Sequence, residues 1–147
     1  MSTNSVDLAY GQGQVSVHVP EPNLIGVYAP VTDSETVDQE SLVAAAMAHP
    51  IGTPRLREIV RRGQRIAILT SDLTRPCPSQ ELLPFVLEEL AAAEIPDGDV
   101  TIVMGLGLHR PMTPVEIEKA LGREFSRRFR VLNHDIDATS QDNHLIC

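Results

Sequence analysis

The stretch RIAILTSDLTRPCPS, residues 65–79, decides how this chain is read. An apolar run, Arg65-Ile66-Ala67-Ile68-Leu69, has the length and β-branched content of a buried strand. An acid, three hydroxyls and an arginine follow at once, before two prolines. A second run, Val100–Met104 (VTIVM), has the same character, and GLGLHRPMT (Gly105–Thr113) follows it. Between them, Ser79–Ala93 has helical spacing, with Pro84 near enough to its start to be tolerated. Ile95-Pro96-Asp97-Gly98 is a turn.

Outward from this unit, Thr113-Pro114-Val115-Glu116 matches a capping box with proline at the first helical position. That helix should run to Leu121 and stop at Gly122, and Arg130-Val131-Leu132 opens a third strand. Upstream, Glu35–Ala48 is loosely helical and is stopped by His49-Pro50. Thr53-Pro54 reads as an N-cap and first-turn proline for a short helix that Gly63 ends. The segment VDLAYGQGQVSVHV alternates apolar and polar residues around Gly11-Gln12-Gly13, as a β-hairpin does. Prolines 20, 22 and 30 make Val19–Val31 irregular or an edge. Strands alternating with helices imply βαβ units. The expected fold is a three-layer α/β domain, with a mainly parallel sheet, flanking helices and an N-terminal hairpin.

Composition limits the function classes. A chain of 147 residues fits one domain, and its 42% apolar content with 3% aromatics means a core of Ala, Val, Ile and Leu. A net charge of −8 argues against a nucleic-acid surface. No Lys or Arg precedes Arg55, after which Arg55, Arg57, Arg61, Arg62 and Arg65 crowd together. They read as a solvated helix face with Glu58 as local partner. Cys77 and Cys147 form neither a disulfide framework nor a zinc signature. No signal peptide or bilayer-length apolar run is evident. The expectation is a soluble, cytoplasmic protein with no membrane or nucleic-acid partner.

Ligands of open α/β sheets bind beyond the carboxyl ends of the strands. In the first loop, Asp72 and Thr74 can close an Asx-type turn, Arg75 can pair with Asp72, and Ser79 can cap the next helix. Alternatively, Arg75 offers a planar fork to a carboxylate or phosphate, with hydroxyls from Ser71 and Thr74. Cys77 reads as a small apolar filler. In the second loop a dinucleotide fingerprint would need glycine where Arg110 stands. His109 is either a hydrogen-bonded structural residue or a proton donor and acceptor near a substrate. His18, His49, His134 and His144 share no metal-ligand spacing, so no protein-built metal site is expected.

At SDLTRPCPS and GLGLHRPMT, with PIG at Pro50–Gly52 and the hairpin, the sequence resembles the nickel-pincer lactate racemase family in its N-terminal catalytic domain, over roughly Val6 to Asp135. The resemblance implies racemisation or epimerisation of a small 2-hydroxy acid. Hydride would pass to a nickel-pincer nucleotide (the nickel complex of pyridinium-3-thioamide-5-thiocarboxylic acid mononucleotide) while a histidine handles the hydroxyl proton.

Carried over by residue, His109 matches a catalytic acid/base histidine. Arg75 matches a contact to substrate or cofactor anions, and Asp72 an orienting residue or ribose contact. Ser71 and Thr74 match further cofactor contacts. The family's second histidine, its cofactor-tethering lysine and its nickel-ligating histidine lie further along than this sequence runs. None of those roles passes to His134, His144 or Lys119. The expectation is therefore an incomplete N-terminal domain over residues 1–147, inactive alone. Its alternatives are a non-catalytic small-anion or nucleotide-binding module, or a subunit completed by a partner chain.

Overall fold

The computed structural model describes residues 3–29 and 38–135. The expected start of the first helix at Glu35, and His144 and Cys147, lie outside them. The chain forms two compact units, one up to residue 36 and one from residue 37.

In the first unit, β1 (Thr3–Tyr10) and β2 (Gly13–Pro20) pair antiparallel, with Tyr10 opposite Gly13. The connection is a two-residue turn in which Gly11 takes φ +59°, a region that glycine enters without a Cβ penalty. The alternation seen in the sequence sets Val6 opposite Val17 and Leu8 opposite Val15 on one face. After Pro20 the chain makes a single 3-10 turn, Glu21–Asn23.

The second unit opens with α1 (Gln39–Ala48), capped by Asp38, whose carboxylate accepts from the N–H groups of Glu40 (3.3 Å) and Ser41 (3.2 Å). A short helix, α2 (Leu56–Ile59), follows. It starts later than the Thr53-Pro54 signal indicates, because Glu58 turns back to accept the Arg55 N–H at 2.9 Å. It also ends at Ile59, before Gly63. The Glu58 carboxylate makes no ion pair with the arginine side chains among the described residues, although Arg61 donates to its backbone carbonyl at 2.6 Å. Arg55 and Arg57 both donate to Glu89 of α3 (Ser79–Ala92), a residue only 2% exposed. Arginines that read as a solvated face thus fasten α2 to α3.

The sheet is β3 (Ile66–Ser71), β4 (Val100–Gly105) and β5 (Arg130–Asn133), parallel and in that order. Helix α3 joins the first pair of strands. The helices α4 (Pro114–Leu121) and α5 (Arg123–Arg128) join the second. When strands advance one place at a time, right-handed connections put successive helices on one face. Accordingly Val100, Ile102 and Met104 are buried with Leu83, Leu87, Leu90, Leu121 and Phe129, and Ile66, Ile68 and Val131 pack against that cluster. The opposite row carries Ala67 and Leu69, both exposed, beside half-buried Val103. The α/β architecture with its parallel sheet, flanking helices and hairpin is as the sequence indicates, but among the described residues the helices cover one face of this sheet, which makes two layers where three were expected. Helix α5 is not foreseen. Gly122, read as a stop, takes φ +81° and serves as the hinge between α4 and α5.

Candidate functional site

Parallel pairing sets Ser71 opposite Gly105, so the two chemistry-bearing loops leave the sheet side by side. The approach is close at that point. A Cβ on Gly105 would lie 3.2 Å from the Thr70 carbonyl oxygen, which is why a glycine stands there.

Asp72 is the first residue past β3 and is 6% exposed. Its Oδ1 accepts the Thr74 N–H at 3.0 Å and the Thr74 hydroxyl at 2.6 Å, and its backbone carbonyl accepts the Arg75 N–H at 3.3 Å. The Asx-type turn is therefore real, whereas the Arg75 side chain does not pair with Asp72. On the second loop Leu106 is buried and Gly107 turns at φ +57°. The His109 N–H then donates to the Leu106 carbonyl at 3.0 Å. This brings His109 Nδ1 to 2.5 Å from Asp72 Oδ2.

Protonation follows from the donors. The Asp72 carboxyl is held below the usual carboxylate range, chiefly by the Thr74 hydroxyl and then by His109, against the opposing effect of burial. An ionised carboxylate only accepts, so Nδ1 carries the hydrogen. The Thr74 hydroxyl already donates to Asp72, which makes its 3.4 Å approach to Nδ1 a secondary contact. In the neutral ring Nε2 then has a free lone pair, and it has no hydrogen-bond partner among the described residues. The side chain of His109 is 53% exposed. A half-open imidazole with one nitrogen fixed and the other available can take a proton from a bound hydroxyl and return it.

His109 lines an open cleft of about 390 Å³ with Asp72, Leu73, Thr74, Leu108, Arg110, Met112 and Glu116. Arg75 lines a neighbouring cleft of about 230 Å³, shared with Ser71, Cys77, Ser79 and Lys119. Asp72 and Leu73 form the wall between the two. Guanidinium and imidazole therefore do not open onto one cleft. The turn closed on Asp72 sends Arg75 to the other side of the wall. Arg75 is exposed and has no ion-pair partner among the described residues.

Other expectations shift in the same loop. Ser79 does not cap α3; its hydroxyl lies 2.6 Å from that of Thr70. Cys77 is exposed, not a filler, and its thiol is pulled down chiefly by the hydrogen bond from Ser79. The Thr74 hydroxyl is committed to Asp72 and not free for a phosphate.

Two supports of the second loop were not legible as such. Arg110 makes a two-point ion pair with Glu116 (2.9 and 2.7 Å), and Glu116 also closes the capping box with Thr113. The arginine holds the Glu116 carboxyl at about 2. Asn133, at the end of β5, bonds the backbone of Met112 through both ends of its amide. An amide directly after an apolar strand is the only sequence signal for the latter.

No group of three or more His, Cys, Asp or Glu side chains able to hold a metal ion occurs among the described residues. These residues thus do not fit the ligand set of a nickel ion. No helix among them is long and apolar enough to cross a membrane.

Residues 10–145 match the family described as the lactate racemase N-terminal domain. The chain is 29% identical over 133 residues to a lactate racemase of Thermoanaerobacterium thermosaccharolyticum, covering 89% of this chain and 31% of the relative. It is 28% identical over 132 residues to a lactate racemase of Lactiplantibacillus plantarum, covering 88% and 31%. The lactate racemase apoprotein structure from Thermoanaerobacterium thermosaccharolyticum superposes with a TM-score of 0.72 at 28% identity, over 90% of this chain and 30% of that one. The chain therefore spans about a third of the length of these relatives.

Proposed function

Because this chain belongs to the lactate racemase N-terminal domain family, we propose that it supplies one proton-handling half of a 2-hydroxy-acid racemase or epimerase. The observation that carries this reading is the 2.5 Å contact between His109 Nδ1 and Asp72 Oδ2 at the tips of adjacent parallel strands.

In this reading Nε2 of His109 takes the substrate hydroxyl proton and returns it on reversal. Asp72 fixes the tautomer and stabilises the imidazolium that forms. Thr74 holds Asp72 and acts through it. Arg75, with Ser71 beside it, contacts an anionic group across the Leu73 wall, either the substrate carboxylate or part of a nucleotide. A nickel-pincer nucleotide, which the resemblance implies for the longer enzymes, would supply the hydride acceptor there. The described residues offer it no group of metal ligands. Substrate, cofactor and completing segment are thus those of the longer relatives, supplied by further chain or by a partner.

A chimera in which this chain replaces the matching third of the Lactiplantibacillus plantarum enzyme tests the reading by chiral chromatography of lactate. The chimera should racemise, and His109→Asn should lower kcat by about 10²–10⁴-fold, the usual worth of a positioned acid/base. A folded but inactive chimera would contradict it.

The separate clefts of Arg75 and His109 favour a second reading, a small-anion or nucleotide-binding module without chemistry. Calorimetry of the chain with lactate and with a pyridine mononucleotide distinguishes the two. That reading expects binding, weakened about tenfold or more by Arg75→Ala, together with an inactive chimera.

A further inference from the structure

We propose that Asn133 is a positioning residue for His109, acting from the end of a different strand. The inference rests on the reading of His109 as the proton-handling group.

Asn133 closes β5, where it pairs with Met104 on β4, and the next residue, His134, donates its N–H to the Met104 carbonyl at 3.0 Å. The strand is thus completed by backbone bonds alone, and the Asn133 side chain is not needed for it. That side chain instead crosses to the second loop. Its Nδ2 donates to the Met112 carbonyl at 2.9 Å, and its Oδ1 accepts the Met112 N–H at 3.0 Å. The orientation of the amide is fixed by its partners, since a carbonyl demands a donor and an N–H an acceptor. A primary amide can meet both backbone groups of one residue in this way, as a strand neighbour would.

The clamp sits where the loop needs it. Leu106 and Met112 are the buried ends of the loop, at 2% and 7% exposure, while Leu108 at its tip is 91% exposed. Between those ends, His109 reaches Asp72 and Arg110 reaches Glu116. A proton-transfer group has to be held within about half an ångström of its working position. Leu106 is fixed by β4 and the core. Met112 is held at its side chain by the core and at its backbone by Asn133. If that end is released, the loop can rotate about Leu106 and draw the imidazole off Asp72. The two bonds to Met112 thereby support the hydrogen on Nδ1 and leave Nε2 facing substrate.

The test is a histidine long-range proton–nitrogen NMR spectrum of the 147-residue chain, recorded where the imidazoles are neutral, for the parent, Asn133→Ala and Asn133→Asp. The aspartate variant keeps the shape and removes the donor to the Met112 carbonyl. The parent should show His109 as a single tautomer protonated at Nδ1, with His18 and His49, both exposed, giving the mixed pattern of free imidazole.

Both variants should move His109 toward that mixed pattern and leave the amide signals of β3 and β4 in place. Exchange of the Met112 amide should accelerate about tenfold in Asn133→Ala, as expected for one lost hydrogen bond. A His109 pattern unchanged in both variants would overturn the proposal. So would loss of the folded spectrum in both, since Asn133 would then be a requirement of the sheet. Substrate and turnover enter neither readout, so failure of the racemase reading in the chimera is a separate result.

Discussion

On Asp72 the hydroxyl and the backbone N–H of Thr74 and the Nδ1–H of His109 converge on one nearly buried carboxylate. The sequence offers Asp72 as the closure of an Asx turn and, by resemblance, as an orienting residue or ribose contact; in the structure the turn aims the carboxylate at the imidazole. Thr74→Val tests this ordering. Removing the hydroxyl should raise the Asp72 carboxyl toward the ordinary value of about 3.9, followed by carbon-13 titration of that group. The sign is fixed by the depressed folded value. The group's stabilisation is complete above the unfolded pKa and is lost as pH falls through the folded one, so the variant should lose it at higher pH than the parent. An unmoved titration would mean that Thr74 does not hold Asp72.

Among the elements, Glu89 has the largest structural task. It lies on α3, is almost fully buried, and accepts from Arg55 and Arg57, which lower its carboxyl to about 2. Because that value is depressed, the ion pair supports the fold above about pH 4.3, the ordinary glutamate value, and is lost as pH falls toward 2. Glu89→Gln should cost about 2 kcal/mol, less than a fully buried pair because both arginine side chains are a third exposed. It should also flatten the acid limb of a denaturation curve; an acid limb identical to the parent's would refute the role. This pairing was illegible in the sequence because Glu58, inside the arginine cluster, was the nearer candidate. It caps its own helix instead. Helix α5 was missed for a related reason. REFSRR is mostly polar, and only Phe125 leans on the core, so no apolar stripe announces it.

For the whole molecule, the βαβ order was legible because it rests on strong local signals: two β-branched runs, a capping box, and glycines where φ is positive. What those signals could not carry was direction beyond the strand tips. Arg75 and His109 start from neighbouring strands, yet a two-residue turn at Asp72 sends them into different clefts, and Asn133 reaches the second loop from a strand away. Coverage of the sheet makes one more prediction. Ile102 is fully buried while Leu69, on the opposite face, is 74% exposed. Ile102→Ala should cost about 2–5 kcal/mol in chemical denaturation, whereas Leu69→Glu should stay within about 0.5. Comparable losses would mean that the isolated chain buries both faces.

In the proposed reaction Asp72 and His109 work as one unit, and a double-mutant cycle on kcat in the lactate racemase chimera tests this most directly. Asp72→Asn, His109→Asn and the pair together should be strongly non-additive, with the double variant losing no more than about what His109→Asn loses alone. Losses that multiply would mean that the two residues act independently, and the account of this site would be wrong.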